Sequence, residues 1–212
     1  MSGGYKLWIV TFLTLVRVPL VLLFFAGAIV YSEYRHTWIF VLTFASLVSS
    51  AVTDAFDGWL ARRFKVETDF VAHADPLMDK FFYLATFPLL VYISTRKAFS
   101  PGHDPFAPTH AILLLILTLL FLGRDQWVTF LRSIGSMYNV SGRAHWSGKL
   151  RTIITFPLAC AIYFFEESPW QFFAPWALYT FEAIAFVINF VSLWVYTRNY
   201  WPYLRQSAQL KV

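Results

Sequence analysis

The chain has 212 residues, of which 58% are hydrophobic and 20% aromatic, and its formal net charge is +5. A water-soluble domain of this size must cover its surface with polar side chains, so this composition excludes an ordinary soluble protein and favours lipid as the solvent. The basic residues form no arm or stripe, which argues against nucleic acid as a partner. The positive balance fits contact with membrane lipids or phosphate-bearing substrates.

Six apolar stretches long enough to cross a bilayer follow one another along the chain. They run over residues 8–31, 38–60, 70–95, 109–133, 147–166 and 173–198. Because these runs are continuously apolar, where the strands of a barrel would alternate, helices are the structure that satisfies their backbone in lipid. We therefore predict an all-α, polytopic membrane protein with six transmembrane helices in one bundle, and a single domain over residues 1–212. We expect the first stretch to be a retained helix, since no small-residue cleavage site follows it.

Lysine and arginine are distributed unevenly between the two ends of the predicted helices. If the amino terminus is cytoplasmic, the outer loops carry Arg35, Arg96 and Lys97, against eleven basic residues on the inner side. Cytoplasmic loops are enriched in basic residues, so both termini should lie inside. We expect a bacterial inner membrane.

Four aspartates lie at the facing ends of the second and third predicted helices. They are Asp54 and Asp57, three residues apart, and Asp75 and Asp79, four residues apart. Each pair projects from one helix face, and a turn between the helices would bring all four carboxylates to the cytoplasmic rim. A carboxylate within a spanning helix costs about 3 kcal/mol, so such a cluster needs a compensating positive charge.

Hard oxygen ligands of this kind suit Mg²⁺, Mn²⁺ or Ca²⁺, whereas zinc would need neighbouring histidine and cysteine ligands. The alternative is that the aspartates form structural ion pairs at a helix end. Their partners would then be Arg62, Arg63, Lys65 and Lys80.

The segment from Asp54 to Arg62, followed by Asp75 and Asp79, resembles the signature of the CDP-alcohol phosphotransferases. That signature reads D-x2-D-G-x2-A-R and, after eight residues, G-x3-D-x3-D; seven of its eight fixed positions match. The exception is Val71, which stands where the family has its second glycine. A branched side chain there should widen a close backbone contact or shift a ligand.

Other stretches extend the resemblance and narrow it to the phosphatidylglycerophosphate synthase branch. Residues 14–17 resemble the motif T-L-x-R, and residues 68–80 resemble T-x-F-G-x2-L-D-P-x-A-D-K. Residues 123–125 resemble G-R-E, and residues 148–152 resemble G-K-x-K-T. Together these motifs favour a glycerol-phosphate acceptor over inositol, serine or choline.

The resemblance implies transfer of a phosphatidyl group from CDP-diacylglycerol to an alcohol, with CMP leaving and two divalent ions, Mg²⁺ or Mn²⁺, at the aspartates. By position, Asp54, Asp57 and Asp75 are metal ligands. Asp79 also lies close to the ions and is the general base that takes the proton of the acceptor's hydroxyl. The resemblance further implies a homodimer.

The resemblance also implies two sets of substrate contacts. The nucleotide would be bound by Asp54, Gly58, Ala61 and Arg62, although Gly58 and Ala61 could equally serve helix packing. Glycerol 3-phosphate carries a dianion of its own and needs a second cationic pocket. The candidates for that pocket are Arg124, Lys149, Arg151 and Arg17, each of which could instead be an anchor at the membrane surface.

Three alternatives stay open. The acceptor could be inositol phosphate, serine or another alcohol. The chain could be a cation-coupled transporter, whose carboxylates should lie near the bilayer midplane beside broken helices. It could also be a scaffold with a decayed site, for which Val71 is the one supporting feature.

Overall fold

The fold is helical throughout the part of the chain that the structure describes. The computed structural model describes residues 3–64, 69–100, 107–140, 146–170 and 174–208, and within them the side chains of residues 3, 4, 6, 7, 55, 57–62, 64, 69–76 and 149 are not described. These ranges form six α-helices and no strand, which confirms the predicted all-α class. The helices are α1 Gly3–Tyr34, α2 Thr37–Phe64, α3 Asp69–Ala98, α4 Ala107–Met137, α5 Trp146–Glu167 and α6 Pro175–Ala208.

Each of these six described helices contains a segment long and apolar enough to cross a membrane. Large apolar side chains are exposed along the segments, among them Leu22, Leu84, Leu119 and Val187. Contiguous apolar surface of this kind is unfavourable in water and favourable against lipid chains. The chain is therefore an integral membrane protein, as its composition predicts.

The described residues fall into two compact units. Unit 1 comprises Met1–Ala111 and Ala159–Phe172, and unit 2 comprises Ile112–Leu158 and Phe173–Val212. Helices α1 to α3 lie in unit 1 and α6 lies in unit 2, whereas the division falls within α4 and α5. The single domain over residues 1–212 stays a prediction.

In unit 1, a small residue and buried aromatic rings hold α1 in place. Helix α1 packs against both α2 and α3. A Cβ atom at Gly27 would collide with the hydroxyl of buried Thr43 on α2, so glycine permits the close approach of these two helices. Nearby, the Tyr163 ring packs edge-on against Phe24, with 5.1 Å between centroids, and stacks on Phe40 at 5.7 Å. Such ring pairs add to the dispersion contacts that hold helices together in lipid.

Two buried glutamates at the end of α5 are neutralised by residues of other elements in unit 1. Glu166 Oε1 lies 2.7 Å from His110 Nδ1, and Glu166 Oε2 lies 3.3 Å from Lys97 Nζ. Glu167 accepts a hydrogen bond of 2.5 Å from Arg35, which occupies the left-handed backbone region (φ 54°) in the turn after α1. Carboxylates removed from water need such partners. Within unit 1, these pairs hold the end of α5 beside the turn after α1, the end of α3 and the start of α4.

In unit 2, the core lies between α4 and α6. Val128 and Leu131 on α4 pack with Tyr196 and Tyr200 on α6. Tyr200 lies against Gly135, where a Cβ atom would overlap its ring. This contact explains why α6 continues to Ala208, beyond the apolar stretch that ends at residue 198: aromatic packing on α4 stabilises the added turns.

Replacement of Gly27 should test the close approach of α1 and α2. We expect Gly27→Leu to destabilise the protein by about 1–3 kcal/mol, because the added side chain must displace Thr43 or separate the helices. The melting temperature of the detergent-purified protein, followed by tryptophan fluorescence, measures the effect. Ala26→Leu is the matched control, since Ala26 is exposed and an added apolar side chain there meets lipid. Equal melting temperatures for the two variants would contradict the packing described.

Candidate functional site

The four predicted metal ligands lie on two continuous helices. Asp54 and Asp57 belong to α2, and Asp75 and Asp79 belong to α3, so their spacings of three and four residues are helical spacings. Asp54 lies ten residues before the end of α2, and Asp79 lies ten residues after the start of α3. The side chains of Asp57 and Asp75 lie outside the described residues.

A single arginine from α1 joins the two helices at this point. Arg17 Nη1 donates a hydrogen bond to Asp54 Oδ1 on α2 and, over 3.2 Å, to Asp79 Oδ1 on α3. Arg17 is 2% exposed, whereas both carboxylates are partly exposed. The structure thus brings together one carboxylate of each predicted pair. The cation that contacts both, Arg17, is one of the residues predicted from the sequence to bind the acceptor's phosphate.

The donor atoms at this point suit a hard divalent cation. Asp54 and Asp79 supply carboxylate oxygens from two helices, the ligand type that Mg²⁺ and Mn²⁺ prefer. Among the described side chains, no group of three or more His, Cys, Asp or Glu could hold a metal ion. The side chains of the other two predicted ligands, Asp57 and Asp75, are not among those described, so the complete ligand set stays a prediction.

The predicted nucleotide contacts lie at the end of α2. Gly58, Ala61 and Arg62 all belong to this helix, one to two turns after Asp54. Val71, at the mismatched position of the motif, belongs to α3. The side chains at these positions lie outside the described residues, and their roles stay predictions.

A second group of charged residues forms in unit 2, around Asp125. Arg124 Nη1 lies 3.0 Å from Asp125 Oδ1, and Arg151 binds the same carboxylate through both terminal nitrogens, at 2.8 Å to Oδ1 and 3.0 Å to Oδ2. Both arginines are buried, at 6% and 4% exposure. Two of the predicted acceptor-binding cations are therefore brought together, on α4 and α5. The fork-shaped contact of Arg151 fixes its orientation.

Polar residues of α6 orient both guanidinium groups. Ser192 Oγ accepts hydrogen bonds from Arg124 Nη2 at 2.5 Å and Nε at 3.2 Å, and Asn189 Oδ1 accepts one of 3.0 Å from Arg151 Nε. The Tyr196 ring lies under the Arg124 guanidinium, 5.0 Å from its centroid. These α6 residues are not among the site residues predicted from the sequence. Their spacing of three and four residues in an otherwise apolar span was a signal that could have revealed a polar helix face.

The two glycines of the motifs in unit 2 have different surroundings. A Cβ atom at Gly148 would lie 3.0 Å from Tyr196 Oη, a tight contact, and at an ordinary contact distance of 3.6 Å from Arg124 Nη2. At Gly123, by contrast, a Cβ atom would meet nothing within 4 Å among the described residues. Packing therefore requires a small residue at position 148 and not at position 123. Lys149, another predicted cation, lies on α5, and its side chain is not among those that the structure describes.

The chain is similar to known proteins over most of its length. A family model described as CDP-alcohol phosphatidyltransferase matches residues 7–195. A protein of Mycobacterium tuberculosis (strain ATCC 25618 / H37Rv), named probable phosphatidylglycerophosphate synthase, is 33% identical over 146 residues, which cover 69% of this chain and 59% of that protein's length.

Two relatives match over nearly their whole length, and both are named CDP-diacylglycerol--glycerol-3-phosphate 3-phosphatidyltransferase. The protein of Cereibacter sphaeroides is 28% identical over 205 residues, 85% of this chain and 90% of the relative. That of Escherichia coli (strain K12) is 28% identical over 189 residues, 87% of this chain and 88% of the relative. No solved structure matches the chain. The family predicted from the aspartate motif is confirmed.

Removal of the shared carboxylate should test the charged group of unit 2. We expect Asp125→Asn to cost about 3–5 kcal/mol of stability, because it leaves two buried arginines without the carboxylate that both contact. Glu33→Gln is the control: Glu33 forms an exposed ion pair with Arg96, and loss of such a pair costs about 0–1 kcal/mol. Thermal unfolding in detergent measures both variants. A melting temperature for Asp125→Asn that equals that of Glu33→Gln would contradict a compensating role for Asp125.

Proposed function

This chain belongs to the CDP-alcohol phosphatidyltransferase family, and we propose that it transfers the phosphatidyl group of CDP-diacylglycerol to glycerol 3-phosphate. The products are phosphatidylglycerophosphate and CMP, and the reaction serves phospholipid biosynthesis. The observation that carries the proposal is the meeting of Asp54 and Asp79, from α2 and α3, at one buried arginine. It supports a shared cation site formed by the two halves of the family motif.

In this proposal, Asp54, Asp57, Asp75 and Asp79 hold two divalent ions, Mg²⁺ or Mn²⁺. Such ions, when bound, neutralise the pyrophosphate oxygens and stabilise the attacking and leaving oxygens of a displacement. Asp54, Gly58, Ala61 and Arg62 bind the cytidine nucleotide. These assignments are supported by their positions in the motif.

The transfer itself is a displacement at phosphorus. The acceptor's hydroxyl oxygen bonds to the phosphatidyl phosphorus while the bond from that phosphorus to the CMP oxygen breaks. Asp79 takes the hydroxyl proton as general base. Its partial exposure supports this role, since a base must be reached by the acceptor.

We propose that Arg124, Lys149 and Arg151 bind the phosphate of the acceptor, whereas Arg17, the fourth predicted cation, contacts Asp54 and Asp79. Arg124 and Arg151 are both buried and both contact Asp125. Two guanidinium groups brought together in this way favour an acceptor with its own phosphate over inositol, serine or choline. The names of the relatives point to the same acceptor.

The continuity of the helices favours this enzyme over a cation-coupled transporter. Transporter sites are typically formed by broken helices at the bilayer midplane. Helices α2 and α3 run without a break through the aspartates. We propose, from the distribution of basic residues, that the aspartates face the cytoplasm of a bacterial inner membrane, and from the family resemblance that the protein is a homodimer.

The reaction can be tested with purified protein in mixed micelles. With Mg²⁺ or Mn²⁺, we expect CDP-diacylglycerol and glycerol 3-phosphate to yield CMP and phosphatidylglycerophosphate. Asp79→Asn should lower the rate at least about 100-fold, because the amide cannot accept the hydroxyl proton. Glu33→Gln, which removes an exposed carboxylate elsewhere in unit 1, should keep the wild-type rate. Undiminished product formation by Asp79→Asn would remove the base assignment.

The acceptor can be tested with a panel of alcohols and with Arg151→Gln. We expect glycerol 3-phosphate to be preferred over inositol phosphate, inositol and serine. In Arg151→Gln, the KM for glycerol 3-phosphate should rise about 10- to 100-fold, the effect of one lost charge-assisted hydrogen bond, while Arg124 still balances Asp125. Arg198→Gln, at an exposed position of α6, should leave this KM unchanged. Equal rates with serine would transfer the proposal to another acceptor.

A further inference from the structure

Arg17 occupies an unusual place for a charged residue. It lies on α1 inside the apolar segment Trp8–Tyr34, and it is 2% exposed. An arginine within a spanning helix is costly unless acceptors inside the protein meet it, so its contacts indicate what it is retained for. Those contacts are to the two carboxylates of the proposed metal site that the structure describes.

The geometry of the contacts constrains both carboxylates. Asp54 Oδ1 and Asp79 Oδ1 accept hydrogen bonds from the same atom, Arg17 Nη1. Two acceptors of one nitrogen lie no more than roughly 6 Å apart, twice the length of a hydrogen bond. Without a cation between them, two carboxylates at this separation repel each other and favour side-chain rotamers that point apart. Arg17 therefore holds a residue of α2 and a residue of α3 within this distance of each other.

We propose that Arg17 is a positioning residue: it holds Asp54 and Asp79 at the spacing that a shared divalent ion requires. The inference rests on the proposed function, because that function supplies the ion. It gives Arg17 a role that differs from the predicted contact with the acceptor's phosphate. Positioning acts on metal affinity before any substrate binds, whereas a phosphate contact acts on the KM for the acceptor.

Arginine suits this role better than lysine does. Its planar guanidinium presents donors in a fixed fork, whereas the lysine ammonium is a point charge on a flexible stem. Arg17→Lys would keep the positive charge and lose the fixed directions, so it separates positioning from simple charge balance. Arg17→Gln would remove the charge, which by electrostatics alone should tighten the binding of a neighbouring cation. Weaker binding in Arg17→Gln can therefore be attributed to lost positioning.

The experiment is a calorimetric titration of the purified, full-length protein in detergent with Mn²⁺ alone. We expect Arg17→Lys and Arg17→Gln to bind Mn²⁺ roughly 10- to 100-fold more weakly than the wild type, the usual effect of losing a residue that orients metal ligands. Arg96→Lys is the matched control. Arg96 pairs with Glu33 at the end of α3, and this substitution should leave Mn²⁺ affinity unchanged.

The outcomes separate this inference from the proposed function. The positioning role is overturned if folded Arg17→Lys and Arg17→Gln bind Mn²⁺ as tightly as the wild type or more tightly. A raised KM for glycerol 3-phosphate in the same proteins would then assign Arg17 to the acceptor instead. If neither variant folds while Asp54→Asn and Asp79→Asn do, Arg17 is a structural residue and the inference fails. A wild-type protein that binds no Mn²⁺ would remove the metal site itself. Failure to use glycerol 3-phosphate, with Mn²⁺ binding as expected, would affect only the proposed acceptor.

Discussion

A charge buried in a lipid-facing helix is stable only where a group of opposite charge or a set of hydrogen-bond partners meets it, and this requirement organises both units. In unit 1, Arg17 on α1 meets Asp54 on α2 and Asp79 on α3. In unit 2, Arg124 and Arg151 both contact Asp125. These buried charged residues lie where helices meet, and they are among the candidate site residues.

The described contacts of the two charged groups differ in which sign of charge is shared. The described contacts around Arg17 join two carboxylates to one guanidinium, whereas those around Asp125 join two guanidiniums to one carboxylate. The first arrangement suits a cation and the second suits an anion. The proposed reaction uses a divalent ion and a phosphate-bearing acceptor, so its ligands have the signs that the two groups complement.

Small residues decide where backbones and charged groups can approach one another. Gly27 allows α1 to approach Thr43 on α2, and Gly148 leaves room beside Tyr196 and Arg124. In a membrane, the hydrophobic effect does not press helices together, so close van der Waals contact and hydrogen bonds must do so. A methyl group at either glycine would therefore affect the neighbouring polar contacts as well as the packing.

The sequence by itself determined the helical class, the six spans and the helical spacing of the aspartates, because these depend on local composition and on the need to satisfy the backbone in lipid. It also carried the family motif, through residues close together in the chain. Only the tertiary structure decided that Arg17 meets partners 37 and 62 residues away, or that Ser192 meets an arginine 68 residues away. Such pairings depend on how each helix is rotated about its axis, and a helix that is apolar on all sides carries no pattern that specifies this rotation.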